Sequence, residues 1–261
     1  MKKIFFFTLF SIILNVFIFS EKAFNLDLKK DSFLLTTGIL LSGADLFLDN
    51  YLEVNRTEYK NQIYEKKDIN RFDRFFMHSY SKNYDKAANF TLVAALSSPL
   101  VLVSTQKNEW TTEIVMYAET LLIANGIKEL LKLSINRTRP YMYYNDSKPN
   151  KDIKKGDFEN SFPSGHSTMA FSGATFATYT FAKYFPESKL KIPVAVASYG
   201  FAISTAALRV KSGNHFVSDV TVGAMIGSCI GFLVPWLHTF NEKNDLNINF
   251  SSNELSFKVK L

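Results

Sequence analysis

Six apolar segments of helix length run through this chain, at residues 33–48, 90–104, 114–133, 165–185, 192–208 and 216–240, with polar or charged connectors between them. In an apolar environment a backbone must satisfy its own hydrogen bonds, and a helix does so within a single segment. The expected fold is therefore all-α, a membrane-associated bundle of about six helices. Two segments are suited to close packing. Residues 165–185 are rich in Ala, Ser, Thr and Gly, and the last segment sets Gly223, Gly227 and Gly231 at four-residue spacing. That last segment is the most membrane-like, with Trp236 near its end at an expected interface. Residues 33–48 contain Asp45 and are marginal in length for a full crossing.

Three polar motifs stand beside these segments, in order along the chain. The first is Lys132 followed, after six residues, by Arg139-Pro140. The second is Pro163-Ser164-Gly165-His166, and the third is Arg209, five residues, His215, three residues, Asp219. They gather what phosphoryl transfer requires. Lys132, Arg139 and Arg209 form a cationic clamp, in which the arginine fork matches two phosphate oxygens. Pro163 is expected to open a helix, which puts Ser164, Gly165 and His166 on its first turn. Free N–H groups and the positive dipole end there attract an anion. His215 and Asp219 are four apart and would share a helix face, where the carboxylate can fix the imidazole tautomer and free the other nitrogen for attack. His166 is then the acid for the leaving oxygen. Plainer readings exist for each part: Lys132, Arg137 and Arg139 as interfacial cations at a helix end, and Asp219 as a helix cap. His78 and His238 match no motif and are read as structural or interfacial.

These motifs resemble the type 2 phosphatidic acid phosphatase family, which shares its site with vanadium haloperoxidases and bacterial class A acid phosphatases. The resemblance covers residues 125–240 well and the earlier helices loosely. It implies a helical bundle, no cofactor and no metal ion for phosphatase work, and a phosphohistidine intermediate. Carried over by position, His215 is the nucleophile, Asp219 its partner and His166 the general acid. Lys132, Arg139, Ser164, Gly165 and Arg209 bind phosphate. One position departs from the family, which usually has Ser before the third-motif Arg, where this chain has Leu208.

Composition narrows the substrate class. The net charge of +6 is dispersed and no nucleic-acid-binding motif occurs, so an anionic membrane surface or lipid head group is the expected partner, not nucleic acid. The 25 phenylalanines suit a lipid-facing protein. The single cysteine, Cys229, lies in an apolar segment and is expected to be a packed thiol. Lys2 and Lys3 precede an apolar stretch at residues 4–19, so residues 1–20 read as an export signal, either cleaved or kept as an anchor. Residues 21–240 form the helical phosphatase domain, with its motifs at 132–219, and residues 241–261 a polar tail whose alternating pattern fits a short β-hairpin. The combined expectation is a bacterial cell-envelope enzyme that hydrolyses a lipid phosphate or pyrophosphate, with its site facing the periplasm. Phosphatidic acid, phosphatidylglycerol phosphate, polyprenyl pyrophosphate and lipid A phosphates are all candidate substrates. The alternatives are a broad-specificity periplasmic acid phosphatase and a vanadate-dependent haloperoxidase. The pattern says nothing about oligomeric state. Orientation carries a parity problem: a crossing signal plus three further crossings would return Lys132 to the cytoplasm, so either one early segment does not cross, with residues 33–48 the first candidate, or the site faces the cytoplasm; a periplasmic bundle with few true crossings is a third option.

Overall fold

The computed structural model describes residues 23–51, 64–144 and 157–239 and the backbone of two strands beyond them. The expected export signal lies outside the described residues, as does most of the connector between the first two motifs. Among the described residues there are seven α-helices: α1 (Leu28–Tyr51), α2 (Arg71–Phe76), α3 (Lys82–Leu96), α4 (Trp110–Ser134), α5 (Gly165–Tyr184), α6 (Lys191–Lys211) and α7 (Val217–Leu237). Six of them hold the six apolar segments, and the short α2 is the addition. A 3-10 turn at Ser98–Ser104, with Pro99 near its start, extends α3. Proline lacks the N–H that would continue the α-helical ladder, which explains the change of pitch there. The tail pairs as an antiparallel hairpin, β1 (Asn247–Ser251) with β2 (Glu254–Lys258), placing Ile248 opposite Phe257 and Phe250 opposite Leu255.

Helix α5 is the hub, packed against α3, α4, α6 and α7. Its closest neighbour is α7, and the glycine stripe is the reason. A Cβ on Gly227 would stand 2.1 Å from the Thr168 carbonyl oxygen, and Cβ atoms on Gly223 and Gly231 would stand 2.6 Å from the carbonyls of Ser164 and Ser172. Only a residue without a side chain allows two helix backbones to approach this closely. The same stripe accounts for Cys229, which is exposed rather than packed. Position 229 falls on the turn of α7 that looks away from α5.

Helices α1 and α4 run in parallel, with Gly38 against Leu122 and Gly126 against Leu41. Residues 33–48 thus lie within a 24-residue helix that follows α4 along the bundle. From there the direction alternates. α3 descends from the end that holds the motifs, α4 rises to it, α5 descends, α6 rises and α7 descends. Phe24, Leu102, Met116, Phe176, Phe181, Tyr184 and Phe185 form a core cluster at the opposite end. Phe24 bridges Thr239 there, so the chain enters and leaves the bundle side by side. Among the described residues, three helical stretches are long and apolar enough to cross a membrane: Lys82–Ser104, Lys191–Lys211 and Val217–Leu237.

Candidate active site

The alternation of helices brings the motifs to one end of the bundle. Lys132 lies in the last turn of α4, Arg209 in the last turn of α6, Gly165 at the start of α5 and Asp219 in the first turn of α7. The local starts differ from the sequence reading in two places. Pro163 lies outside α5, and Ser164 is its N-cap, with its hydroxyl accepting from the Ser167 N–H at 3.4 Å. His215 precedes α7 instead of riding on it, because α7 begins after Phe216. A tight turn feeds it. Gly213 has φ +74°, and a Cβ there would stand 2.6 Å from the His78 carbonyl oxygen.

His215 is 2 % exposed. Its Nδ1 lies 2.7 Å from the Ser161 carbonyl oxygen and 3.8 Å from Asp219 Oδ2. An Nδ1–H that donates to Ser161 leaves Nε2 with its lone pair. Asp219 acts on this arrangement at one remove. Its Oδ2 accepts from the Ser161 hydroxyl at 2.6 Å and from the Phe216 N–H at 2.8 Å. The carboxylate is therefore both a cap for α7 and an anchor for the irregular segment at Ser161 that orients the imidazole. Burial, with the charges of Arg139 and Arg209 nearby, holds the His215 imidazole well below its ordinary pKa.

His166 is half-buried in the first turn of α5, and its Nε2 lies 2.6 Å from Asn89 Oδ1 on α3. Burial lowers its pKa strongly, and the charges of Arg209, Arg139, Lys132 and Lys128 lower it further. That these four cations act on one imidazole defines the cage. Arg139 donates to the Asp157 carbonyl at 2.9 Å and to its carboxylate at 2.7 Å, and lies 3.4 Å from Asn214 Oδ1. Arg209 pairs with Asp85 through Nη1, while its buried Nε has no hydrogen-bond partner. Asn214 also donates to Asp85, at 3.1 Å. Lys132 stands 3.5 Å from Glu129, and Lys128 pairs with the same carboxylate. Both lysines overhang Gly165, where an added Cβ would meet Lys128 Cδ at 3.2 Å and Lys132 Nζ at 3.6 Å. The absence of a side chain keeps that floor open to an anion.

Several participants are absent from the motif reading. Lys128 lies one helical turn before Lys132, so helical spacing alone places it on the same face. Arg137, weighed as an interfacial cation, instead joins two buried carboxylates. Its Nη2 lies 2.7 Å from Asp73 Oδ2, and its Nη1 pairs with Asp219 and donates to Ser218 Oγ at 2.7 Å. Asp73 accepts in addition from the Ser218 N–H at 3.0 Å, its hydroxyl at 2.6 Å and Asn70 Nδ2 at 2.7 Å. Burial pushes the Asp73 carboxyl up, but the bonds from Ser218, Asn70 and Arg137 outweigh it and hold the group below its usual range. Asp73, Asp85 and Asn89 come from segments far from the motifs in sequence, and no spacing rule marks them.

Residues 113–243, half of the chain, match the PAP2 superfamily. The chain is 26 % identical over 145 residues to a lipid A 1-phosphatase of Porphyromonas gingivalis, a match that covers 56 % of this chain and 28 % of that protein. It also aligns with the crystal structure of a transmembrane PAP2 type phosphatidylglycerolphosphate phosphatase from Bacillus subtilis, at 20 % identity and a TM-score of 0.42, covering 80 % of this chain and 95 % of that one. The matched region contains every motif residue of the cage, and the chain belongs to the PAP2 superfamily.

Proposed function

We propose that this protein is a membrane-embedded phosphatase that hydrolyses the terminal phosphate of a lipid phosphate or pyrophosphate through a phosphohistidine on His215. The observation that carries the reading is the His215 imidazole, buried, held neutral and tied at Nδ1, beside a cage of four cations. His215 Nε2 attacks phosphorus and the ester P–O bond breaks. The departing oxygen takes a proton from His166, whose imidazole becomes charged once the bound phosphate dianion offsets the four cations that add to burial in depressing its pKa. A water then attacks the phosphohistidine, gives its proton to His166, and inorganic phosphate leaves His215. The free Nε–H of Arg209, the α5 amino end with Ser164, and Lys132, Lys128 and Arg139 would hold the equatorial oxygens. Those cations take the role a metal ion would otherwise fill, so the chemistry requires none.

A lipid substrate is favoured by the bundle's outer surface. Phe90, Ile192, Val196 and Met225, on three membrane-length stretches, are 67–74 % exposed. The lipid A 1-phosphatase relative supports a glycolipid phosphate as the first substrate to test. We further read the cage as facing the periplasm. Because α1 runs the length of α4, that orientation requires residues 1–22 to add no crossing of their own.

The test is phosphate release from a panel of lipid and soluble phosphates by detergent-solubilised protein, with acid-labile phosphate trapped from a labelled substrate. Wild type should release phosphate and carry label on histidine. His215→Ala should do neither while keeping its helical spectrum. Normal turnover by that variant would end the mechanism.

A further inference from the structure

At the end of the bundle away from the cage, three ligand-type side chains converge from distant parts of the chain. They are Asp31 in the first turn of α1, Glu119 in α4 and His238 at the end of α7. One donor atom from each lies within 4.8 Å of the others. All three residues are buried, and Glu119 and His238 are completely so. Among the described residues this is the one such group of three.

The hydrogen bonding shows what the cluster lacks. His238 Nδ1 lies 2.8 Å from the Val234 carbonyl oxygen, which can only accept, so Nδ1 carries the proton. Nε2 then presents a lone pair, and it faces Asp31 Oδ1 at 2.9 Å and Glu119 Oε2 at 3.3 Å. In the neutral imidazole three lone pairs therefore point at one another. Neither oxygen of Glu119 has a hydrogen-bond donor. A buried carboxylate in that condition is strongly unfavourable unless a cation reaches it. Lys30 is the neighbouring charge, but its ammonium is turned to the main-chain oxygens of Leu237 at 3.2 Å and Asn25 at 3.4 Å, and stands 3.8 Å from Asp31.

We propose that Asp31, Glu119 and His238 bind a divalent transition ion of the zinc class, which clasps α1, α4 and the end of α7 together. Zinc bonds of about 2.0–2.2 Å separate neighbouring ligand atoms by roughly 3.3 Å on a tetrahedron; Glu119 stands at that spacing from Nε2, and Asp31, at 2.9 Å, would move outward slightly to admit the ion. An imidazole whose other N–H is fixed by a backbone carbonyl is the usual arrangement of a metal-bound histidine. The donor set of one imidazole and two carboxylates suits zinc better than magnesium, which prefers oxygen alone. The ion would be structural. It lies across the bundle from His215, so it takes no part in the phosphate chemistry and does not depend on that reading.

The experiment uses the full chain in detergent, purified without a histidine tag and stripped with chelator. Titration with Zn2+ alone should show one saturable equivalent and a rise in melting temperature. Glu119→Gln and His238→Asn should each weaken that binding by at least about tenfold. X-ray absorption of the zinc-loaded wild type should show nitrogen and oxygen ligands with one imidazole. No stoichiometric binding by wild type, unchanged binding by folded variants, or a site with two imidazoles would overturn the proposal. If a variant does not fold, the wild-type titration and the imidazole count decide.

Discussion

Ser161 holds His215 by its main chain: the carbonyl oxygen sits 2.7 Å from Nδ1, inside hydrogen-bond range, where the Asp219 carboxylate does not reach. The side chain of the same serine bonds Asp219, so the carboxylate steers the imidazole through the segment between them. This makes the tautomer of His215 a property of the backbone before the second motif. In the mechanism proposed above, attack from Nε2 of His215 and proton supply from His166 are separate duties, and each can be removed on its own.

Removing the proton supply should depend on the leaving group. An alkoxide of a lipid needs a proton to depart, and an aryl oxide with a low pKa needs it much less. His166→Ala should therefore lower the rate on a lipid phosphate by about 10²–10⁴-fold, and lower it far less on p-nitrophenyl phosphate. Steady-state rates on the two substrates make the comparison, and equal losses would identify His166 as a phosphate binder only.

Arg137 is the counter-charge for two fully buried carboxylates, Asp73 and Asp219. Replacing it by Leu leaves both uncompensated, a change that costs about 3–5 kcal/mol for a buried pair. Chemical denaturation in detergent should show that loss. Asp73→Asn in the same background should recover part of it, since one uncompensated charge then remains in place of two. A fully additive double variant would show that the network does not couple α2 to α7.

Acidification should expose the buried histidine. The native pKa of His215 is depressed by burial and by Arg139 and Arg209, while the unfolded chain titrates near 6.5. The unfolded state therefore binds more protons once the pH falls below that value, and native stability declines. The slope approaches about 1.4 kcal/mol per pH unit for one such group. His215→Gln should lose stability less steeply than wild type between pH 6.5 and 5. Parallel curves would mean that His215 is not held neutral.

Orientation can be read from one thiol. Ser147 lies between the first two motifs, in a stretch outside the described residues. A Ser147→Cys, Cys229→Ser protein should react with an impermeant thiol reagent in cells whose outer membrane alone is permeabilised. Labelling that waits for rupture of the inner membrane, while a periplasmic control reacts beforehand, would put the cage in the cytosol.

The six apolar segments were legible because helices announce themselves by continuous stretches of like residues. The glycines at 223, 227 and 231 announced a close helix contact by their spacing, and the fold makes α5 its partner. The residues that the fold gathers into the cage were legible because three short motifs carry them in order along the chain. What the sequence concealed is how they are held. Asp73 reaches Ser218, and Asn89 reaches His166, across long stretches of chain that only the fold closes. Cys229 misled because an apolar segment suggests burial, whereas only one face of α7 is covered. His238 looked inert because its companions, Asp31 and Glu119, stand more than a hundred residues away along the chain.

The bridge between Phe24 and Thr239 places both thresholds of the helical unit at one end, with the Asn25 N–H donating to the His238 carbonyl at 2.9 Å. Anything joined to either threshold is consequently attached at the end of the bundle away from the cage. A domain or reporter added at these points would start from that far end. The two thresholds also lie near enough for a short linker to join them, so a circularly permuted chain reopened in another connector should keep the same cage.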